Sequence, residues 1–207
     1  MRVRKFSSLV VVAAALACLA GTLSGCAGIV VGTTATTATM AAQERGLGGA
    51  IDDAKTRIDI NFLWFKHDEE MYRDVTPSIS EGRVLLTGYV KAEQMMHDAV
   101  RLAWQAKGVT EVINELQVHD DADVGTFLRD IWINSRLEVK LAIDDKVTAI
   151  NYSIDTVSGV VYLFGIAQDR EELQRVTNYA NDLEYVRRVV SHVWLKSDPR
   201  RMRLGVS

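Results

Sequence analysis

Cysteine and proline are nearly missing from this 207-residue chain, which holds two of each. Cys18 and Cys26 cannot supply a disulfide framework. Two prolines and no polar low-complexity run argue against a largely disordered chain. Base is not in excess either: 24 Lys and Arg stand against 27 Asp and Glu, a formal charge of −3. Removing a leader that carries Arg2, Arg4 and Lys5 takes that charge from −3 to −6. General nucleic-acid binding needs the opposite balance and is set aside. His67, His97, His119 and His192 are scattered, with no His-x-x-x-His, no Cys-x-x-Cys and no Gly-x-Ser-x-Gly elbow. Gly88 is not followed by Lys-Ser or Lys-Thr, so there is no phosphate loop. Asp52-Asp53, Asp68-Glu69-Glu70 and Asp144-Asp145 read as solvated loop and helix ends. No enzyme, cofactor or metal site is therefore expected. The longest apolar run, Leu9 to Leu19, falls short of the roughly 20 residues that cross a bilayer.

What is present begins with an address. Met1 to Lys5 is a basic start, and Leu9 to Leu19 has the length of a secretory h-region. The segment ends Leu23-Ser24-Gly25-Cys26, which resembles the lipobox of bacterial lipoproteins. That resemblance implies a signal peptide over 1–25 and a diacylglyceryl group, with further acylation such as palmitate, on Cys26. Several acyl chains anchor stably where one does not. Ala27 rather than Asp follows, which by resemblance to Gram-negative lipoproteins implies the outer membrane, facing the periplasm. Residues 26–50 then read as lipidated cysteine and flexible tether, reaching about 27 Å. The alternative lays Ile29, Val30, Val31 and Met40 along the lipid surface.

Beyond Gly49 the chain repeats. Gly82–Val118 aligns with Gly159–Leu195 at a shift of 77, with Gly82, Val84, Leu86, Gly88, Ala103, Val109 and Val112 recurring. Upstream, Arg57, Ile58, Ile60 and Phe62 align with Arg136, Leu137, Val139 and Leu141 at a shift of 79. Each unit reads helix, strand, strand, helix, strand, an α+β layer architecture of two helices on a three-stranded sheet. In the second unit Asp130 is expected to N-cap a helix with the stripe Ile133, Leu137 and Leu141. Strands follow at Thr148–Ile154 and Val160–Phe164, a helix face at Leu173, Val176, Ala180 and Leu183, and a closing strand at Val186–Leu195. Gly82 and Gly159 suit hairpin turns of positive φ; Gly88 and Gly165 suit strand ends. The first unit spans 51–119, an acidic linker 120–127, the second unit 128–196 and a basic tail 197–207.

The doubled αββαβ unit with a glycine on each side of its second strand resembles the BON domain family. A lipobox, an Ala/Gly/Val/Thr tether and two such units resemble its dual-domain outer-membrane lipoproteins, as does Asp130-Ile-Trp-Ile133. The resemblance implies envelope integrity under stress and phospholipid binding by the second unit.

Trp132 is the sharpest residue for such contact, since it sits about 140° from Leu137 around the helix, off the core stripe. The competing role is packing against Val139 or the other unit. Ile131 lies beside it, and Arg136, Lys140, Arg170 and Arg175 are candidate bases for an anionic headgroup, phosphatidylglycerol-like. Glu171 and Glu172 weaken the case for Arg170 and Arg175. Lys196, Arg200, Arg201 and Arg203 form the basic tail, read first as solvated. Neither unit is broadly basic: residues 51–119 carry 12 acids and 8 bases, and 124–195 carry 10 and 8. The alternative to a lipid module is a lipid-anchored scaffold whose units bind envelope proteins. A third option, a periplasmic folding helper, would not need the lipobox.

Overall fold

The computed structural model describes residues 46–119 and 123–203; the leader, Cys26 and most of the expected tether lie outside them. The first domain runs α1 (Gly46–His67), α2 (Glu69–Asp74), β1 (Val75–Ser80), β2 (Arg83–Val90), α3 (Glu93–Ala103), β3 (Glu111–Asn114) and β4 (Gln117–Val118). The second runs α4 (Val124–Ile143), a 3-10 turn (Ala149–Asn151), β5 (Tyr152–Val157), β6 (Val160–Ala167), α5 (Arg170–Asn181) and β7 (Arg188–Leu195), followed by α6 (Pro199–Arg203). In each sheet the middle strand pairs antiparallel with the strand before it and parallel with the one after. β4 continues β3 along β2 past the break at Glu115-Leu116, where the second domain has one unbroken strand.

The two-fold repeat is set by a buried acid. Asp53 on α1 accepts from the backbone N–H of Glu81 (2.9 Å) and of Gly82 (3.0 Å). Asp130 on α4 does the same for Ser158 and Gly159, at 2.8 Å each. Both hairpins are two-residue turns with positive φ at each central position: Glu81 (56°), Gly82 (74°), Ser158 (52°) and Gly159 (71°). Their exposed amides would be orphaned without an acceptor from the helix packed on them. Asp130 is thus a buried mid-helix residue; the N-cap of α4 is Asp123, which accepts from the Thr126 amide at 3.1 Å. The two acids are 77 residues apart, and Ile60 and Trp64 are buried where Leu137 and Leu141 are. The shift is therefore 77 throughout, and the helix alignment at 79 is corrected.

Other boundaries move as well. α1 starts inside the segment read as tether, and α4 starts inside the segment read as linker. Thr148–Asn151 leads through the 3-10 turn into β5, which continues to Val157. The closing strand begins at Arg188, and Leu183 falls just past α5. Gly88 and Gly165 lie inside β2 and β6, not at strand ends. A Cβ there would sit 2.2 Å from the Asp74 carbonyl oxygen and 1.9 Å from that of Asn151, so only glycine allows the preceding backbone so close.

Each sheet buries one face under its own helices, around Ile60, Trp64, Val84 and Leu86 in the first domain and Ile133, Leu137, Val161 and Leu163 in the second. The other faces meet each other, and Leu85, Val157, Tyr162 and Phe164 form a third core between the domains. The layers are helix, sheet, sheet, helix. Both faces of β2 and β6 are thus buried, consistent with their near-continuous apolar runs.

Polar groups rim this interface. Tyr89 Oη and Ser158 Oγ are 2.7 Å apart, the Thr87 hydroxyl bonds the Asp155 carboxylate, and His192 Nε2 lies 2.8 Å from Glu115 Oε1. Arg83 reaches Glu111 (2.6 Å) and the His192 carbonyl (3.1 Å), with its guanidinium 3.8 Å from the Trp194 ring centroid. The tail is not simply solvated. Asp198 and Pro199 start α6, Arg200 pairs with Asp198 and lies over Trp194, and Arg201 is buried against Glu81 of the first domain.

Candidate functional site

α4 is apolar on two faces. One faces the core through Ile133, Leu137 and Leu141; the other leaves Val124, Leu128, Ile131, Val139 and Ile143 exposed to solvent, at 46–78% of their surface. Leucine at 59% exposure with two such neighbours forms a patch, and patches call for a partner where single residues do not.

Along one edge of that stripe, bases alternate with aromatic rings. Arg129 lies 5.7 Å from the Tyr185 ring centroid, Arg136 5.6 Å from Trp132, and Lys140 5.2 Å from Tyr179. Trp132 is half-buried and meets Tyr185 edge-on at 5.7 Å. It packs on Tyr185 in the loop after α5 and against the core of its own domain. Arg136 and Lys140 make no ion pair among the described residues, so their charge is available to an anion, whereas part of the Arg129 charge serves the Asp123 carboxylate. An apolar face, an edge of Lys and Arg and an interfacial tryptophan together form the pattern of a helix that lies on a bilayer surface.

Tyr185 holds φ at +68°, where the first domain has Gly108 at +89°. A bulky side chain there costs on the order of 1 kcal/mol, and such strain clusters at functional sites. The ring is half-exposed beside Trp132 and Arg129. Tyr185 and the stripe residues Val124, Leu128, Val139 and Ile143 escape a search for bases and tryptophan, and Arg129, a base on the same helix edge, is not among the candidates read from the sequence. The legible signal was an apolar series at Val124, Leu128 and Ile131 opposite the core stripe.

The expected bases on α5 stand apart from this strip. Arg175 lies 3.6 Å from Asp144, whose carboxyl is held below its ordinary range chiefly by the Tyr179 hydroxyl, which donates to it at 2.7 Å. Its charge is largely used. Arg170 is exposed in the first turn of α5, but Asp169 already caps that turn by accepting from the Glu172 amide. Glu172 is buried and accepts from the amides of Thr148 and Gln168, so it is structural.

At its N-terminal end α4 borders a cleft of about 470 Å³ between the domains, where Phe127 and Ile131 face Tyr89, Val90 and Lys91. Burial pushes the carboxyls of Asp130 and Asp155 on its floor upward. Among the described residues no cluster of His, Cys, Asp and Glu could hold a metal, and no helix is long and apolar enough to cross a membrane.

Fold and site define a tandem of small α+β modules whose candidate site is an open helix face. The chain belongs to the BON domain family, whose model matches residues 66–120 and 129–196. It is 39% identical over 152 residues to an uncharacterized protein in the gshII 5′ region of Anaplasma centrale, covering 73% of this chain and 99% of that one. It is 28% identical over 169 residues to the outer membrane lipoprotein DolP of Haemophilus influenzae, covering 81% and 87%. Osmotically-inducible protein Y of Escherichia coli is 26% identical over 145 residues, covering 69% and 72%.

Proposed function

We propose that this is a non-enzymatic envelope protein with two BON domains, anchored through Cys26 to the outer membrane on its periplasmic side. Its second domain binds anionic phospholipid through the outer face of α4 and so supports outer-membrane integrity. The observation that carries this reading is the juxtaposition on α4 of an exposed apolar stripe with three cations, of which Arg136 and Lys140 have no carboxylate partner among the described residues and Arg129 feels the Asp123 carboxylate at the helix start. Further support comes from relatives named as an outer membrane lipoprotein and an osmotically inducible protein. Apolar side chains enter the interfacial region, and each base near an anionic surface adds about 1 kcal/mol.

The test is flotation of the chain lacking residues 1–26, and so the acyl anchor, with vesicles containing phosphatidylglycerol and with purely zwitterionic ones. Binding is expected only to the anionic vesicles. Arg136→Glu should weaken it about tenfold, since a base is lost and a repulsion gained. Leu128→Ser with Ile131→Ser should do at least as much. Tyr185→Gly should leave stability near wild type, because relief of strain offsets the lost ring contact, and still weaken flotation. Absence of binding by the intact chain would sink the lipid reading and leave a scaffold that docks envelope proteins.

A further inference from the structure

α1 also has two apolar faces. The inner one buries Ile60 and Trp64, with Asp53 and Thr56. The outer one leaves Ile51, Ile58, Phe62 and Phe65 exposed at 40%, 60%, 59% and 57%, with Ala54 on the same face. Among the described residues nothing covers this stripe, which is about 21 Å long. We propose that it pairs with α1 of a second copy of this chain, antiparallel, about a two-fold axis through Ile58.

The order of residues carries the proposal. The stripe reads Ile51, Ala54, Ile58, Phe62, Phe65, and those positions are symmetric about Ile58. A reversed copy laid against it sets Phe65 against Ile51, Phe62 against Ala54 and Ile58 against itself. Phe62 faces the small Ala54, Phe65 faces the less bulky Ile51, and at the centre two β-branched side chains meet on the axis. A parallel copy would set Phe62 against Phe62 and Ala54 against Ala54, a collision beside a void.

Charge agrees with the same arrangement. One edge of the stripe carries, in order, Asp52, Lys55, Asp59 and Lys66. Like edges meet in an antiparallel pair, which brings Lys66 to the partner helix's Asp52 and Lys55 to its Asp59. With two acids and two bases that edge is charge-balanced and offers an anionic membrane no excess of base. The four large side chains bury on the order of 900 Å² between two copies, and the lysine stems carry the contact past about 1,000 Å². α1 and α4 lie in opposite outer layers, so pairing leaves the proposed lipid face open.

The test uses the chain without its leader and with Cys26→Ser, which then holds no thiol. Sedimentation at about 100 μM should give twice the monomer mass. With helix axes 8–10 Å apart, facing Cα atoms come within roughly disulfide range. Ile58→Cys should therefore cross-link to itself under mild oxidation. Ile51→Cys, whose copies lie about 21 Å apart, should cross-link at least roughly tenfold less. Lys66→Asp should weaken association, and adding Asp52→Lys should restore it. Monomer mass with no cross-link in the Ile58→Cys variant would overturn the proposal, as would equal cross-linking at positions 51 and 58. So would a monomer whose flotation is lost on Ile58→Glu, which would make the stripe a membrane face. Ile58 is largely exposed, so circular dichroism of each variant should match wild type.

Discussion

Replacing Arg201 with methionine should cost this protein far more than replacing the exposed Arg200 beside it. Arg201 Nε and Nη2 donate to the two carboxylate oxygens of Glu81 at 2.9 and 2.6 Å, and Nη1 donates to the Lys196 carbonyl at 2.7 Å. Arg201 is 6% and Glu81 7% exposed, so removing the guanidinium strands a buried carboxylate. Breaking such a pair from one side costs about 3–5 kcal/mol, far above the value of a surface ion pair. At a urea slope of about 2 kcal/mol/M, the midpoint should fall by roughly 1.5–2.5 M with the slope unchanged. Buried Trp64 and Trp194 make intrinsic fluorescence a suitable readout. Adding Glu81→Gln should recover at least half of the loss, because a neutral amide is cheaper to bury than an unpaired charge. A single-variant shift below about 0.5 M, or a double variant no better than the single, would refute the reasoning. A chain ending at Leu195 loses the same contact, so it cannot isolate a lipid role for the tail.

Two further changes separate other causes. Asp155 is half-buried against the first domain, and desolvation raises its carboxyl above the usual range, so the native state favours the protonated form more than the unfolded chain does. Stability from this group is fully present below the unfolded pKa near 4 and is lost as pH rises through the higher native value, so the sign favours acid. Asp155→Asn should therefore be at least as stable as wild type at pH 7, with its advantage shrinking as pH falls toward about 4 in urea melts. Gly165→Ala should destabilise by about 3 kcal/mol or more in the same assay, because its Cβ would meet the Asn151 carbonyl oxygen at 1.9 Å at φ of +128°.

Much of the fold was legible in the chain. Strands carry their register in alternating and continuous apolar runs punctuated by Gly82, Gly88, Gly159 and Gly165, so a shift of 77 could be read across β2, β3, β6 and β7. The same evidence failed on α1 and α4 because both helices are apolar on two faces. A slip of two residues still laid apolar on apolar, Ile58 on Leu137 and Phe62 on Leu141. What sets their true register is the reach of Asp53 and Asp130 to turn amides 28 and 29 residues away, a tertiary contact without local signature. Asp130 looked like an N-cap because capping acids and buried acceptors are the same residue type.

The candidate site divides the same way. Trp132, Ile131, Arg136 and Lys140 could be picked from the helix that carries them, since a period of about 3.6 residues places them off the core stripe. Tyr185 joins them only because the loop after α5 folds against α4, and Arg175 drops out because folding sets Asp144 beside it. Composition and periodicity determined the doubled α+β unit, the order of its elements along the chain and its core-facing stripes, because those are properties of neighbours along the chain. Which apolar face is buried, which base keeps its charge free, and where Arg201 goes were decided by the tertiary structure, because each depends on what stands across the gap once sheet meets sheet.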